Sequence, residues 1–179
     1  GRIAQALSLY QRSANDLARL LGEEHPHTLT AKHGLALVQA SHQELPEARE
    51  LLEEVLVAQR RQLGSQHPAT LSTIHNLARF RAALGDADGA LDLYDEELAA
   101  HRAAHGDQHD STRDALSSLA FFHLNREDFA AAIPYYQSLT GSYQAVDRQR
   151  LMAQMMLGLC YSKTEQLETA RQHFASALA

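Results

Sequence analysis

Gly64-Ser65-Gln66-His67-Pro68-Ala69-Thr70 is the stretch that decides the fold, because the chain carries it three times. Gly22-Glu23-Glu24-His25-Pro26-His27-Thr28 stands 42 residues before it, and Gly106-Asp107-Gln108-His109-Asp110-Ser111-Thr112 stands 42 residues after it. A glycine suits the left-handed residue that ends a helix. A proline suits the first turn of the next helix, where a missing N–H costs nothing. Each copy therefore predicts the stop of one helix and the start of another. His25, His67 and His109 recur with the repeat, so they read as residues of the fold, bonding at the helix start.

Other positions keep the same step. Leu35-Ala36, Leu77-Ala78 and Leu119-Ala120 are 42 apart, as are Ala6, Ala48, Ala90 and Ala132, each followed four residues later by Tyr10, Leu52, Tyr94 or Tyr136. A fourth unit follows with Leu157-Gly158, Tyr161, Ala170 and Phe174, but its step from Ala132 to Ala170 is 38 and it lacks the Gly-x-x-His-Pro element. Each unit reads as two helices that approach closely at these small residues, with an aromatic or Leu one turn on filling the gap to the neighbouring unit. The predicted helices are 2–21, then the pairs 26–42 with 46–62, 68–84 with 87–104, 110–125 with 128–142, and 148–163 with 167–179. Pro46 opens its helix as a first-turn residue. Pro134 falls one turn in and predicts a late start or a kink. The expected organisation is one domain over 1–179: a second helix of an incomplete repeat over 1–21, repeats over 22–63, 64–105 and 106–143, and a shorter divergent repeat over 144–179. A chain that starts in mid-unit and ends without a polar capping helix reads as a piece of a longer protein, able to self-associate through uncapped ends.

Composition agrees with a helical, folded chain. Hydrophobic residues make up 45% and charged residues 21%, with only 4 Pro and 9 Gly in 179 residues. The net charge of -6 argues against nucleic acid as partner. No run of about 18 apolar residues is present, so no membrane span is expected. A lone cysteine, Cys160, excludes an internal disulfide and a cysteine-based zinc site and makes a reducing cytoplasm the default location. Its apolar run, Leu157-Gly158-Leu159-Cys160-Tyr161, marks it as a small buried hydrophobe.

These motifs resemble the tetratricopeptide repeat in its 42-residue form, as found in kinesin light chains and many bacterial signalling proteins. Departures are Asp110 in place of the proline, Gln43 and Glu127 in place of the turn glycine seen at Gly85, and the missing opening of the fourth unit. The resemblance implies an all-α, right-handed superhelical solenoid of antiparallel helix pairs. It also implies a non-catalytic scaffold that holds a protein or peptide segment in a concave groove lined by the first helix of each pair, with no cofactor. Carried onto this chain, the groove positions include Thr30, His33, Leu37, Ser72, His75, Asn76, Arg79, Asp114, Ser117, Ser118, Phe121, Asn125, Met152, Met155, Leu159 and Lys163. The expected binding set is His33, Leu37, Ser72, His75, Asn76, Arg79, Ser118, Phe121 and Asn125.

Asn76 and Arg79 lie three apart and share a helix face. Asn offers a donor and an acceptor to a peptide backbone, and Arg a two-pronged donor to a carboxylate. The plainer alternative is that these are solvated polar residues. Met152, Met155 and Met156 read as core, or as cover for a further unit. The acidic pairs Glu53-Glu54 and Glu96-Glu97 read as solvated helix faces. Eleven histidines include His101 and His105 at a spacing of four with His109 beyond, a pattern open to zinc or nickel but with no third ligand fixed. No nucleophile–base motif or phosphate-binding loop is present, so an enzyme is not expected. A sensor or self-association module of a larger regulator, such as a repeat-bearing signalling ATPase or transcription regulator, is the alternative to an adaptor.

Overall fold

A computed structural model describes residues 2–143 and 148–178. Among the described residues there are nine helices and no strand: α1 Arg2–Leu21, α2 Pro26–Ser41, α3 Leu45–Leu63, α4 Pro68–Ala83, α5 Ala87–His105, α6 Asp110–Asn125, α7 Phe129–Ser142, α8 Arg148–Lys163 and α9 Leu167–Leu178. The short fourth connection predicted at the 38-residue step falls on 144–147, which lie outside the described residues, as does Ala179. The chain divides into two compact units, Gly1–Glu97 and Leu98–Ala179. In the first, α1 packs on α2, α2 on α3, α3 on α4, and α2 also touches α4. In the second, α6 packs on α7, α7 on α8 and α8 on α9.

The turn inside each pair is built from backbone. After α2, Gln43 N–H donates to the Ala40 carbonyl and Glu44 N–H to the Gln39 carbonyl. Gly85 and Asp86, Glu127 and Asp128, and Glu165 and Gln166 repeat the pattern. These are Schellman caps, whose central residue must turn left-handed. The φ values there are 71° at Gln43, 87° at Gly85, 58° at Glu127 and 63° at Glu165. Only one of the four is the glycine such a turn favours.

The junction between pairs is the seven-residue motif read from the sequence. His25, His67 and His109 stand at the N-cap, where each Nδ1 accepts from the backbone N–H of His27, Ala69 or Ser111 at 3.1–3.2 Å. That meets one of the donors a helix start leaves unpaired. Thr28 and Thr112 are sealed from solvent and donate Oγ–H to the carbonyls of Gly22 and Gly106, at 2.8 and 2.7 Å. Thr70 is equally buried, but its hydroxyl makes no hydrogen bond. Pro26 and Pro68 open their helices as expected.

The core lies where the small residues recur. Ala36, Ala78, Ala120, Ala48, Ala90 and Ala132 are completely buried, and Leu35, Leu77, Leu119, Leu52, Tyr94 and Tyr136 are buried beside them. Of the late start or kink expected at Pro134, the late start does not occur: α7 begins at Phe129 and runs through the proline. The proline sits early enough in the helix that the only carbonyl it leaves without its N–H partner is that of Ala130, in the first turn.

The three non-glycine turn residues give a direct test. Replacing Gln43, Glu127 or Glu165 with Gly should raise stability by about 0.5–1 kcal/mol each, because a left-handed residue with a Cβ costs about 1–2 kcal/mol and glycine returns part of that as chain entropy. Gly85→Glu should lower it. Urea denaturation midpoints read the difference; a loss of stability in all three glycine variants would contradict the turn geometry.

Candidate functional site

The first unit brings the expected residues of α2 and α4 together. Asn76 Nδ2 donates to the Ser72 carbonyl at 2.9 Å, one turn back on α4, and to His33 Nε2 on α2 at 3.2 Å. Both amide hydrogens are therefore spent inside the protein. Asn76 offers a ligand its Oδ1 alone, not the donor and acceptor expected from the sequence. The bond also defines His33. Its Nε2 must carry a lone pair, so the ring is the neutral Nδ1–H tautomer. Burial lowers the His33 pKa below its usual 6.5 and holds the ring in that form.

Next to Asn76 on α4, the His75 Nδ1–H donates to both oxygens of Glu97, at 3.1 and 3.2 Å. The His75 ring also meets the Tyr94 ring edge to face at 6.3 Å. The pKa of Tyr94 is pushed up to about 12, chiefly by burial, with Arg79 working against the rise and Glu97 adding to it. Glu97 is only 6% exposed. This corrects the reading of Glu96-Glu97 as a solvated pair: Glu96 pairs with Arg60 at the surface, whereas Glu97 is buried against His75. The sequence held a signal for it. Position 97 stands 42 residues after Val55 and 42 before Leu139, both buried, so the repeat assigns it to the core.

What remains open on this face is a short set of polar atoms. Among the described residues, Arg79 is exposed and makes no hydrogen bond or ion pair. The Nε2 of His75, Oδ1 of Asn76 and Nδ1 of His33 likewise have no protein partner, and none is sealed from solvent. Leu37 is exposed and, with His33, Thr30, Gly34, Tyr10 and Leu17, lines an apolar hollow of about 550 Å³ between α1 and α2. Neither α2 nor α4 contains an Asp or Glu. Their other two cations face acids of neighbouring segments, Lys32 with Glu23 at 2.9 Å and Arg81 with Glu53 at 2.8 Å.

The second unit holds the remaining expected residues on α6. Ser118 is half-buried and donates its hydroxyl to the Asp114 carbonyl at 3.0 Å. Phe121 is 59% exposed and Asn125 is exposed at the end of the helix. Met152 and Met155 on α8 are about half exposed, at 53% and 47%, so they are not core. Cys160 is completely buried, and burial raises its thiol pKa. His105 and His109 stack at 4.3 Å with His109 engaged in its cap; among the described residues no group of three or more metal-ligating side chains is found. No helix among them is long and apolar enough to cross a membrane.

The His33 bond predicts a pH dependence. Its folded pKa lies below the unfolded value, so the unfolded chain takes up the proton first as pH falls. The stability that His33 contributes is full above pH 6.5 and is lost as pH drops toward its folded value. Between pH 6.5 and 5 the wild type should lose more stability than His33→Gln, which keeps an acceptor but cannot titrate. Equal losses in urea melts across that window would refute the assignment.

Comparison with known proteins agrees with this architecture. The sequence profile of the tetratricopeptide repeat matches residues 1–58 and 70–145, and a second profile of the same repeat matches residues 122–179. No curated protein matches the chain. Among solved structures, the chain is similar to nearly identical TPR-like repeats described as kinesin light chain from Podosopora anserina, with 25% identity, a TM-score of 0.88, and coverage of 99% of this chain and 86% of that one. BtubC (BKLC) from P. vanneervenii is 17% identical with a TM-score of 0.85, covering 99% of this chain and 72% of that one. MamA 41-end from Desulfovibrio magneticus RS-1 is 14% identical with a TM-score of 0.63, covering 97% and 93%. The last two are likenesses of fold alone. The fold class is an all-α helical-repeat solenoid.

Proposed function

The chain belongs to the tetratricopeptide repeat family, a family of protein-interaction scaffolds, and from that premise we propose that it is a non-catalytic scaffold holding a segment of a partner polypeptide across α2 and α4. The observation that carries this reading is the set of unpaired polar atoms on a face without acids, in a protein of net charge -6. The acids of this unit's helices lie elsewhere: Asp16 on α1, Glu47, Glu50, Glu53 and Glu54 on α3, and Asp88, Asp92, Asp95, Glu96 and Glu97 on α5.

The open groups are complementary to a polypeptide. Asn76 Oδ1 and the lone pair of His75 Nε2 accept main-chain N–H groups, and His33 Nδ1–H donates to a carbonyl. Arg79 takes a carboxylate with its two-pronged guanidinium. The hollow beside Leu37 seats an apolar side chain. The ligand that fits is a segment carrying an acidic residue near an apolar one. Each neutral bond contributes only about 0.5–1.5 kcal/mol, so affinity comes from several acting together.

Selection of peptides from a random display library on the immobilised protein, followed by fluorescence anisotropy with labelled winners, tests this. Winners should be enriched in Asp or Glu. Arg79→Ala should weaken them roughly ten- to hundredfold, the loss expected for a charge-assisted bond of about 1.5–3 kcal/mol. Asn76→Ala should weaken them less. Unchanged affinity in both variants, or no selectable peptide, would sink the reading.

A further inference from the structure

Glu97 occupies a position that the repeat otherwise fills with an apolar side chain. Val55 is 0% exposed and Leu139 is 2% exposed at the equivalent places. A buried carboxylate is costly to desolvate, and replacing a buried ion pair by apolar residues of similar volume is often neutral or stabilising. The two flanking repeats show that the fold accepts an aliphatic side chain at this position.

What Glu97 does determine is the state of His75. Both carboxylate oxygens receive the same Nδ1–H, at 3.1 and 3.2 Å. In a neutral imidazole the hydrogen bond at one nitrogen decides what the other presents. Here the proton is held at Nδ1, and Nε2 is left as an acceptor on the far side of the ring. That nitrogen has no partner among the described residues and is open to solvent. Arg79 lies one turn on, and Asn76 is the next residue along α4.

We propose that Glu97 is a positioning residue: it fixes His75 as the Nδ1–H tautomer, so that Nε2 accepts an N–H from the main chain of the bound polypeptide. The proposal rests on reading the α2/α4 face as a binding surface, but the tautomer can be measured with no ligand present. The carboxylate stays buried and never meets the partner. It acts through the ring, which the Tyr94 edge supports from the same helix.

Three variants separate positioning from mere structure. Glu97→Leu installs the residue that position 139 carries, Glu97→Gln keeps an acceptor for Nδ1–H, and His75→Phe removes the ring nitrogens. Long-range ¹H–¹⁵N spectra of the imidazole at pH 8 should show His75 protonated at Nδ1 in the wild type and in Glu97→Gln, and at Nε2 in Glu97→Leu. The urea midpoint of Glu97→Leu should be unchanged or higher. With a labelled library-selected peptide as probe, Glu97→Leu and His75→Phe should each weaken binding about tenfold, the scale of one lost neutral hydrogen bond, while Glu97→Gln stays within about twofold of wild type. A wild-type His75 protonated at Nε2, or a Glu97→Leu protein that keeps both tautomer and affinity, would overturn the proposal. So would a lowered midpoint in Glu97→Leu with the tautomer unchanged. Failure to select any peptide counts against the binding face, whereas the spectra decide the role of Glu97 alone.

Discussion

How closely two helices approach is set, in each repeat, by one alanine on the second helix meeting a Leu-Ala step on the first. Ala48, Ala90 and Ala132 are completely buried, and so are Ala36, Ala78 and Ala120. Such small, sealed residues let the two helices come close and their flanking side chains pack together. Two glycines extend the rule to larger knobs. A Cβ at Gly34 would run into the Tyr10 ring, and one at Gly158 would meet the Phe174 ring. This contact uses the inward stripe of each first helix and leaves the outward stripe partly open. That freedom lets His33, Asn76, His75 and Arg79 be polar.

The junctions carry the second constraint. Gly22 and Gly106 end one helix, and their carbonyls accept a buried threonine from the next. The histidine caps that next helix, and the proline starts it. Asp110 can replace the proline because the position asks only that a free N–H be tolerated, and an acid in the first turn of a helix meets its positive end favourably. Thr70 keeps its place in the core without its bond, so burial of the side chain matters more at this site than the hydroxyl.

The periodic part of this structure was legible in the sequence because it is made of residues with one steric or conformational role. The glycines, prolines and alanines that keep the repeat step stand at helix ends, helix starts and close contacts, and every predicted helix end lies within one residue of its place among the described residues. The features that escaped are those where identity and register disagree. Glu97 sits in an acidic local sequence that resembles a solvated face, yet its repeat register is that of Val55 and Leu139. Met152 and Met155 look like core by composition but occupy the outward stripe. Asn76 could be placed on the helix face it shares with Arg79, but the direction of its amide depends on a carbonyl one turn back and on a histidine from another helix, and neither is visible in a local window.

Those disagreements point the same way. A solenoid repeat gives each position a default residue, and natural chains depart from defaults where something other than stability is selected. On α3 and α7 the default at the position of Glu97 is aliphatic. On α5 it is a carboxylate, and it holds a histidine whose free nitrogen stands one turn from the guanidinium of Arg79. A carboxylate serving the fold would be matched by similar polar partners in the neighbouring repeats; instead the pair is confined to the repeat whose first helix also carries Asn76 and Arg79. The polar core of that repeat and its open surface are therefore most simply understood as one arrangement, with the buried half setting what the exposed half presents.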